Sequence, residues 1–371
     1  MDNKTKALHI KIDDSKAKSV VTPIYQCSAF QADSDYFYSR KDNPNIRELE
    51  MVIATFEDAK YSIATNTGMS SISLVLNFLN PFDTLIINKD IYGCSFKLFQ
   101  KFAKKYNINL MTLDLSLDSE IDKIPPEVNM VFFETPTNPF LKTINIGKVS
   151  KCVKLKNNNS IIVVDNTWAT SIFQHPLKHG ADISLHSATK YFSGHSDVLG
   201  GFILTNDLSL YNYFVELRFY MGAIMEPYSA WLLRRSMQTY AIRMKEHQKI
   251  TLELKKFLET CTQIEKIYYP TIDNYQLKGY GTLIFVKLRD DLVEKYIKFT
   301  NTLKLFQTGT GMACVTSMVA QPYNGSHASM SDEEKMNLGL GKDIIRLSFG
   351  LENTDDIKAD LQNAFIQLDS K

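Results

Sequence analysis

The sequence predicts an α/β protein with a mostly parallel central sheet flanked by helices, followed by a smaller α+β carboxyl-terminal domain. The first observation is that short, continuously apolar segments alternate with helical segments between residues 61 and 205. Strands that are apolar along their whole length are typical of a parallel sheet covered on both faces. The second observation is a change of pattern after about residue 230, where a long helical segment leads into a mixed region.

The composition excludes several functional classes. The chain has 371 residues, of which 44% are hydrophobic and 22% charged, as is usual for a globular protein of this length. A formal net charge of +1 gives no indication of a nucleic-acid or anionic membrane partner. No apolar run approaches the roughly 20 residues that cross a bilayer, and the first residues lack a signal peptide's apolar stretch. We therefore expect a cytoplasmic protein.

Metal and disulfide chemistry are also not expected. The five cysteines include no CxxC pair, and their number is odd, so neither a zinc site nor a disulfide framework is indicated. The seven histidines show no metal-ligand spacing. We expect no metal site.

The elements can be justified in order along the chain. Residues 1–45 mix polar and aromatic side chains without a period, which indicates an extended amino-terminal arm. From Ile46 the apolar residues recur at helical spacing, and this begins a predicted main domain over residues 46–228. The apolar strand-like segments of this domain are 61–68, 84–88, 108–114, 129–136, 161–166, 183–187 and 201–205. The helical segments between them are 69–80, 92–106 and 147–158.

The carboxyl-terminal domain is predicted over residues 229–371. It begins with a long helical segment at 229–259 and ends with a helix at 354–369, and strand-like segments lie between them at 281–288 and 344–351. Because consecutive parallel strands are joined by right-handed crossovers, the strands of the main domain should end at one edge of the sheet, where α/β sheets bind ligands.

Lys190 is the first candidate at that edge. It follows the strand-like segment 183–187 and two hydroxyl side chains, Ser187 and Thr189. A lysine is a poor nucleophile until it is desolvated or lies near other positive charge. Hydroxyls that hold a phosphate beside a lysine that forms a Schiff base would suit pyridoxal phosphate (PLP). A solvated loop lysine is the alternative, because such short strings are common.

Two further candidates follow apolar strands. Asp165 ends one strand and could pair with a pyridine nitrogen, although a carboxylate there could equally cap the next turn. Thr67, Gly68 and Met69 open a helix, where a glycine lets the backbone approach a phosphate. An ordinary strand-to-helix turn is the alternative. The chain has no GxGxxG or Walker pattern that would indicate a dinucleotide or ATP.

Arg346 and Tyr92 have less specific surroundings. Arg346 lies inside the apolar segment IIRLSFG, where a charged side chain must be paired. Its guanidinium could bind an α-carboxylate, or it could form an interdomain salt bridge. Tyr92 could stack on a flat cofactor ring, although an aromatic side chain is more often part of the core.

These segments together resemble the Cys/Met-metabolism PLP-dependent enzymes, a family of cystathionine γ-synthases, cystathionine lyases and methionine γ-lyases. The resemblance covers nearly the whole chain, and its segments include YSRKDNPN, TNTGMSS, IYGCSF, ETPTNP, VDNTWAT, HSATKYFSGHSD and IIRLSFGLE. It implies a fold-type I, aminotransferase-like architecture, PLP as cofactor and an amino acid as substrate. It also implies a homotetramer built from two catalytic dimers.

The resemblance implies a role for each candidate residue. Lys190 would form the Schiff base and move protons, Asp165 would pair with the pyridine nitrogen, and Tyr92 would stack on the ring and, as its phenolate, deprotonate the incoming amine. The residues implied to hold the phosphate are Gly68, Met69, Ser187 and Thr189. Those implied to reach the phosphate of the neighbouring subunit are Tyr38 and Arg40. Those implied near the ring hydroxyl and the substrate carboxylate are Asn138, Ser317 and Arg346.

Two positions bear on the substrate. Cys94 resembles the corresponding residue of methionine γ-lyase, and Thr316 stands where cystathionine-using relatives carry a glutamate. A neutral side chain there offers no partner for a distal ammonium group, which favours γ-elimination on methionine- or homocysteine-like substrates. The alternatives are γ-replacement and the cystathionine β- and γ-lyase reactions, since VDNTWAT is more similar to some β-lyases. A non-catalytic protein of the same fold is the alternative from another class.

Overall fold

The computed structural model of the chain describes residues 18–369. Its larger sheet has seven strands in the order β1-β7-β6-β5-β4-β2-β3. Their bounds are β1 Tyr61–Thr65, β2 Thr84–Asn88, β3 Asn109–Leu113, β4 Val128–Glu134, β5 Ile161–Asp165, β6 Ile183–Ser187 and β7 Gly201–Thr205. The pairs from β3 through β2, β4 and β5 to β6 are all parallel. The predicted mostly parallel sheet is therefore confirmed.

One strand departs from the prediction that every strand ends at the same edge. β7 runs antiparallel to both β1 and β6, so its first residue, Gly201, lies opposite Thr65 and Ser187 at the edge where those strands end. Parallel neighbours need a crossover connection that is usually helical. The link from β6 to β7 contains turns and no helix, and the chain therefore reverses direction there.

Helices cover the larger sheet on both faces. Alternate residues of one strand show this, because Leu85 and Ile87 pack into one apolar cluster while Ile86 packs into another. All three side chains are fully buried. The helices that accompany this sheet are α1 Pro44–Glu57, α2 Gly68–Leu76, α3 Gly93–Tyr106, α4 Asp118–Ile121, α5 Ile146–Lys156, α6 Thr170–Phe173 and α7 Leu208–Met221. A short 3₁₀ helix spans Pro176–His179.

The smaller sheet has five strands in the order β10-β11-β12-β9-β8 and is mainly antiparallel. Its strands are β8 Ile264–Tyr268, β9 Leu283–Leu288, β10 Gln307–Thr308, β11 Met318–Ala320 and β12 Ile344–Ser348. The helices in this part of the chain are α8 Pro227–Met237, α9 Tyr240–Leu258, α10 Tyr296–Thr302, α11 Asp332–Leu338 and α12 Thr354–Asp369. A 3₁₀ helix spans Asp290–Lys295. Buried apolar side chains from β9, β12 and α12 form its core.

The predicted helix over 229–259 is wrong in one respect, because two helices, α8 and α9, occupy this stretch. The carbonyl of Ser236, near the end of α8, accepts hydrogen bonds from the Thr239 hydroxyl and the Arg243 guanidinium. The same carbonyl also accepts the backbone N–H of Thr239 at 3.2 Å, three residues on, where a continuous α-helix would pair it with the N–H four residues on. No proline or glycine marks the break in the sequence.

The predicted arm is described from residue 18, and its first part lies outside the described residues. Residues 18–43 contain no helix and a single isolated bridge, between Ala29 and Tyr38. The arm is fastened where it meets α1, because the Asn45 side chain accepts the N–H of Tyr25 and donates to the carbonyl of Pro23. None of the helices described in residues 18–369 is long and apolar enough to cross a membrane.

Candidate active site

A cavity of about 400 Å³ opens between the edge of the larger sheet and residues 310–326. Its floor consists of residues at the ends of β4, β5 and β6 and at the start of α2, as expected for ligand binding in a parallel sheet. The predicted site residues that line it are Gly68, Met69, Tyr92, Asn138, Asp165, Ser187, Thr189 and Lys190. The remaining wall is mostly apolar, with Trp168, Leu199 and Met312 among its side chains.

Lys190 lies in the turn that follows β6, and its amine faces the cavity. Burial, and then the neighbouring Arg346 guanidinium, lower the pKa of Lys190 to about 8. Both effects disfavour the charged ammonium form. A substantial fraction of this amine is therefore neutral near physiological pH, which is the form that attacks a carbonyl.

The start of α2 forms a cradle for an anion. Thr67 caps this helix by accepting the N–H of Ser70, and Gly68 is its first residue. A Cβ at Gly68 would lie 3.0 Å from the Cβ of Ser187, so any side chain there would press against the end of β6. The N–H of Ser187 is in turn held by the Thr167 hydroxyl, at 2.8 Å. Helix amides and two hydroxyls, Ser187 and Thr189, meet at one point and suit a phosphate.

Asp165 is the last residue of β5, and one carboxyl oxygen accepts the N–H of Thr167 at 2.9 Å. Burial raises the pKa of Asp165, while the hydrogen bonds from Thr167 act in the opposite direction. A cationic partner in the cavity would therefore be stabilised by this carboxylate, and the carboxylate by its partner.

Tyr92 immediately precedes α3, and burial together with the Cys94 thiol raises the pKa of its hydroxyl. In this environment the hydroxyl is a proton donor, and its role as a phenolate stays a prediction. Asn138 is only 2% exposed, and its side-chain oxygen has no hydrogen-bond partner among the described residues. An unpaired buried polar atom in a cavity wall indicates a ligand that would complete its hydrogen bonding.

Arg346 lies on β12, behind the cavity wall. Its guanidinium donates to the carbonyls of Thr310 and Gly311 at 3.0 and 2.9 Å, while its Nε has no partner among the described residues. Burial lowers the pKa of Arg346 to about 10. Arg346 is not among the residues that line the cavity, and its buried guanidinium has no carboxylate partner among the described residues. A role in binding the substrate carboxylate stays a prediction.

Other predicted residues do not line this cavity in the single chain. Thr316 is exposed, and Ser317 is fully buried with its hydroxyl donating to Glu352 at 2.9 Å. The Cys94 thiol contacts the Tyr92 hydroxyl. Tyr38 and Arg40 lie on the arm, where Arg40 donates to the carbonyl of Phe219 at 2.7 Å. The substrate and phosphate roles of these residues stay predictions.

Several cavity residues were missed by sequence reasoning, namely Ile72, Ser95, Glu134, Pro136, Thr167, Trp168, Leu199, Thr310, Met312, Gly325 and Ser326. Glu134 could have been found, because it ends an apolar strand in the same way as Asp165. Thr310 and Met312 carry no local signal, since only the packing of the smaller sheet against the larger one brings them to the cavity.

The cavity fits PLP on its own geometry, because it combines an anion cradle, a buried lysine, a strand-end carboxylate and an unpaired amide. Comparison with known proteins agrees with this fit. The profile of the Cys/Met metabolism PLP-dependent enzyme family matches residues 4–366. The chain belongs to this family.

Relatives with different activities match the whole chain. Cystathionine β-lyase from Lactococcus lactis subsp. cremoris (strain MG1363) is 34% identical, over 97% of this chain and 98% of its own length. L-methionine γ-lyase from Fusobacterium nucleatum subsp. polymorphum is also 34% identical, over 96% of each chain. The structure of cystathionine γ-synthase from Xanthomonas oryzae pv. oryzae in complex with cystathionine superposes with a TM-score of 0.91 at 31% identity, over 96% of this chain and 95% of that one.

Family membership confirms several predictions. The protein is a PLP-dependent enzyme of the carbon–sulfur lyase and synthase family, and PLP is its cofactor. The aminotransferase-like fold class is confirmed by solved family members that superpose over nearly the whole chain.

Proposed function

We propose that the protein is a lyase that eliminates a thiol from the γ-carbon of methionine- or homocysteine-like amino acids. The products would be a 2-oxo acid, ammonia and the thiol, with water supplying the new carbonyl oxygen. The observation that carries this proposal is the uncharged cavity wall opposite the sheet edge. Its described side chains, from Thr310 to Ser326, include no acid or base.

The ionisable lysine, aspartate and glutamate side chains that line the described cavity all lie on the sheet side, and they are Lys190, Asp165 and Glu134. The distal ammonium group of cystathionine would lose hydration against the opposite wall without gaining a carboxylate partner there. A methyl thioether or a thiol has no such cost and can pack against apolar side chains such as Met312 and Leu199.

PLP held in this cavity would supply an electron sink for the negative charge that develops at the substrate's α-carbon. Lys190 would hold the cofactor and, once displaced by the substrate, would take the proton from the α-carbon, for which its lowered pKa of about 8 is suited. A second proton must leave the β-carbon before a γ-thiolate can depart, and Lys190 would take this proton after it has released the first one. The protonated Tyr92 hydroxyl lies in the same cavity and would donate a proton to the leaving sulfur.

Asp165 would pair with the pyridine nitrogen, and the start of α2 with Ser187 and Thr189 would hold the phosphate. Arg346 would bind the substrate carboxylate, which is supported by its buried, partly unsatisfied guanidinium. Asn138 would donate to or accept from the ring hydroxyl, which is supported by its unpaired buried oxygen.

We propose that the active form is a homo-oligomer, a dimer of catalytic dimers, in which the arm of one subunit completes the site of another. Support comes from exposed apolar side chains on the arm and on the nearby end of α7, which are Val20, Val21, Phe37, Tyr220 and Met221. Surfaces of this kind are usually covered by a partner. Tyr38 and Arg40 would then reach the partner's phosphate site. We further propose cytoplasmic residence, which the ordinary globular composition supports.

A substrate panel tests the reaction. The purified PLP enzyme is expected to release 2-oxo acid from methionine and homocysteine with a higher kcat/KM than from cystathionine or cysteine. Faster release from cystathionine than from both of the other γ-substituted amino acids would overturn the proposed substrate class.

A substitution on the neutral wall sharpens this test. T310E introduces a carboxylate where a distal ammonium would lie, and T310Q is the uncharged control of the same size. We expect T310E to raise the cystathionine-to-methionine ratio of kcat/KM about tenfold over T310Q, as one partly buried charge-assisted contact would give. Equal cystathionine-to-methionine ratios of kcat/KM for the two variants would show that this wall does not discriminate between the distal ends of the substrates.

The second candidate reaction is γ-replacement, which is favoured by the likeness to cystathionine γ-synthase. An activated homoserine ester with cysteine as the second substrate separates the two reactions. Formation of the replacement product faster than release of 2-oxobutanoate would identify a synthase.

A further inference from the structure

Glu134 is the last residue of β4, and it has no direct part in the proposed reaction. It lies beside Asp165 in the register of β4 and β5, and it lines the same cavity. Its side chain is nevertheless almost completely buried, with 6% of the residue exposed. A second carboxyl group at the strand ends of a cofactor cavity is costly to bury, so its surroundings should show what it does.

The side-chain carboxyl group of Glu134 contacts two separate loops. Its Oε1 accepts the backbone N–H of Tyr92 at 2.9 Å, and the carboxyl also receives the backbone N–H of Asn138. The first loop joins β2 to α3, and the second follows β4. Each loop carries a side chain that lines the cavity, so one group at the strand end fixes the position of both.

Glu134 shares the cavity with the amine of Lys190 but forms no salt bridge with it. No ion pair between Glu134 and a lysine, arginine or histidine is found within residues 18–369, and Asp165 is the nearest acidic neighbour along the sheet edge. Burial, and then the charge of Asp165, raise the pKa of Glu134 well above its ordinary value. Two adjacent buried carboxyl groups are difficult to ionise together.

We propose that Glu134 is a positioning residue of this active site, which stays uncharged beside an ionised Asp165 and fastens the Tyr92 and Asn138 loops to the sheet edge. An uncharged acid can still accept backbone N–H groups through its carbonyl oxygen. It also leaves Asp165 as the single anion for a cationic partner. The inference rests on the proposed function, because the cavity is taken to be the active site. The contacts of Glu134 themselves do not depend on which reaction the enzyme performs.

Three substitutions separate the two parts of this role. E134Q keeps an uncharged acceptor of nearly the same shape, E134A removes the acceptor, and E134D keeps the acid but shortens it by one methylene. We expect E134Q to retain kcat and KM within about threefold. We expect E134A and E134D to lose at least about tenfold in kcat, with smaller changes in KM, because displaced loops misalign Tyr92.

Two readouts do not depend on turnover. The visible absorbance of the lysine-bound cofactor and the melting temperature should stay near wild type in E134Q, while E134A should retain PLP less tightly. Glu50 supplies the matched control, since this buried acid is paired with Arg218 at 2.6 Å. E50Q should lower the melting temperature by several degrees because it leaves the buried guanidinium of Arg218 without its counter-charge.

An E134Q enzyme as impaired as E134A in kcat and cofactor retention would overturn the uncharged state, and an E134A enzyme with wild-type kcat would overturn the positioning role. These outcomes remain distinct from failure of the proposed function. Kinetics are measured on whichever amino acid the wild-type enzyme converts fastest, and cofactor retention needs no substrate.

Discussion

The amine of Lys190 illustrates what the environment adds to a single residue. An unperturbed lysine is almost fully protonated at neutral pH and would not attack a carbonyl. Burial in the cavity and the nearby Arg346 guanidinium both act against that charge. Arg346 comes from the smaller sheet, so the reactivity of Lys190 depends on a side chain that lies far away in the sequence.

The lowered pKa has a measurable consequence for cofactor binding. The rate at which PLP becomes bonded to Lys190 in the apoenzyme should rise as pH increases through about 8, because the neutral amine is the reacting form. Stopped-flow absorbance at a series of pH values measures this midpoint. Replacing Arg346 in R346Q removes a neighbouring cation and should move the midpoint to higher pH.

K190A controls for absorbance that does not arise from the lysine bond. A wild-type midpoint near the ordinary lysine value, with no change in R346Q, would contradict this description of the site.

For the individual site residues, the sequence predicted the chemical type of the side chain and its position at the end of a strand. It did not predict which side chains would lie next to each other in the cavity. Lys190, Asp165 and Gly68 follow apolar segments, and they do line one cavity. Thr316 was singled out for the substrate tail, yet Thr310 lines the cavity and Thr316 is exposed. Both residues lie in an irregular loop, whose path has no periodic signal in the sequence.

At the scale of the element, the junction between β7 and α2 shapes the phosphate cradle. Gly201 is the first residue of β7 and pairs with both neighbouring strands. A Cβ at this position would lie only 2.4 Å from the carbonyl oxygen of Thr67. The antiparallel direction of β7 therefore brings a glycine to the point where α2 begins.

G201A tests this junction. The added methyl group should push the start of α2 away from Ser187, and we expect PLP affinity to fall at least about tenfold as the helix amides lose their alignment with the phosphate. The melting temperature should also fall, because backbone atoms must shift to accept the methyl group. Equilibrium dialysis of PLP and thermal unfolding measure the two effects.

G147A is the matched control, since its new methyl group would meet only ordinary contacts at 3.5 Å or more. It should leave PLP affinity unchanged. Wild-type affinity in G201A would contradict the proposed cradle.

Element prediction succeeded where the pattern was local. Strands β2, β6 and β7 and helix α12 have the predicted bounds. The division of the long helix into α8 and α9 was not predictable, because neither proline nor glycine marks it and the contact of Arg243 with the Ser236 carbonyl is seen only in the folded chain. The direction of β7 was not predictable either, since apolar content gives strand identity without orientation.

At the scale of the whole molecule, the cavity lies between parts of the chain that are distant in sequence. Trp168 of the cavity wall stacks on Phe285 of β9, with ring centroids 5.8 Å apart. Lys97 of α3 pairs with Glu334 of α11 at 2.6 Å. These contacts hold the two parts of the chain together around the site. Each part supplies a wall of the cavity that the other part lacks.

The proposed exchange of arms predicts complementation between inactive subunits. K190A lacks the reactive amine, and R40A lacks a predicted phosphate contact from the partner. Mixed after mild dissociation, they should form hybrid dimers with one intact site, giving up to about a quarter of wild-type activity for equal random mixing. Assay of the mixture against each variant alone measures this gain.

A mixture of K190A with a K190A/R40A double variant is the control and should stay inactive. Two affinity tags, one on each variant, detect whether hybrid dimers form. If hybrid dimers form and no activity returns, the arm does not contribute Arg40 to the active site of the neighbouring subunit.

The fold class, most of the strands and the cofactor chemistry could be predicted from the amino-acid sequence. These depend on local apolar patterns and on short motifs that surround a reactive residue. The tertiary structure alone decided which side chains form the neutral wall, how far the pKa of Lys190 is lowered and what holds Glu134. The physical reason is that each of these depends on distances between loops and on burial by distant segments, and neither quantity is encoded in the spacing of residues along the chain.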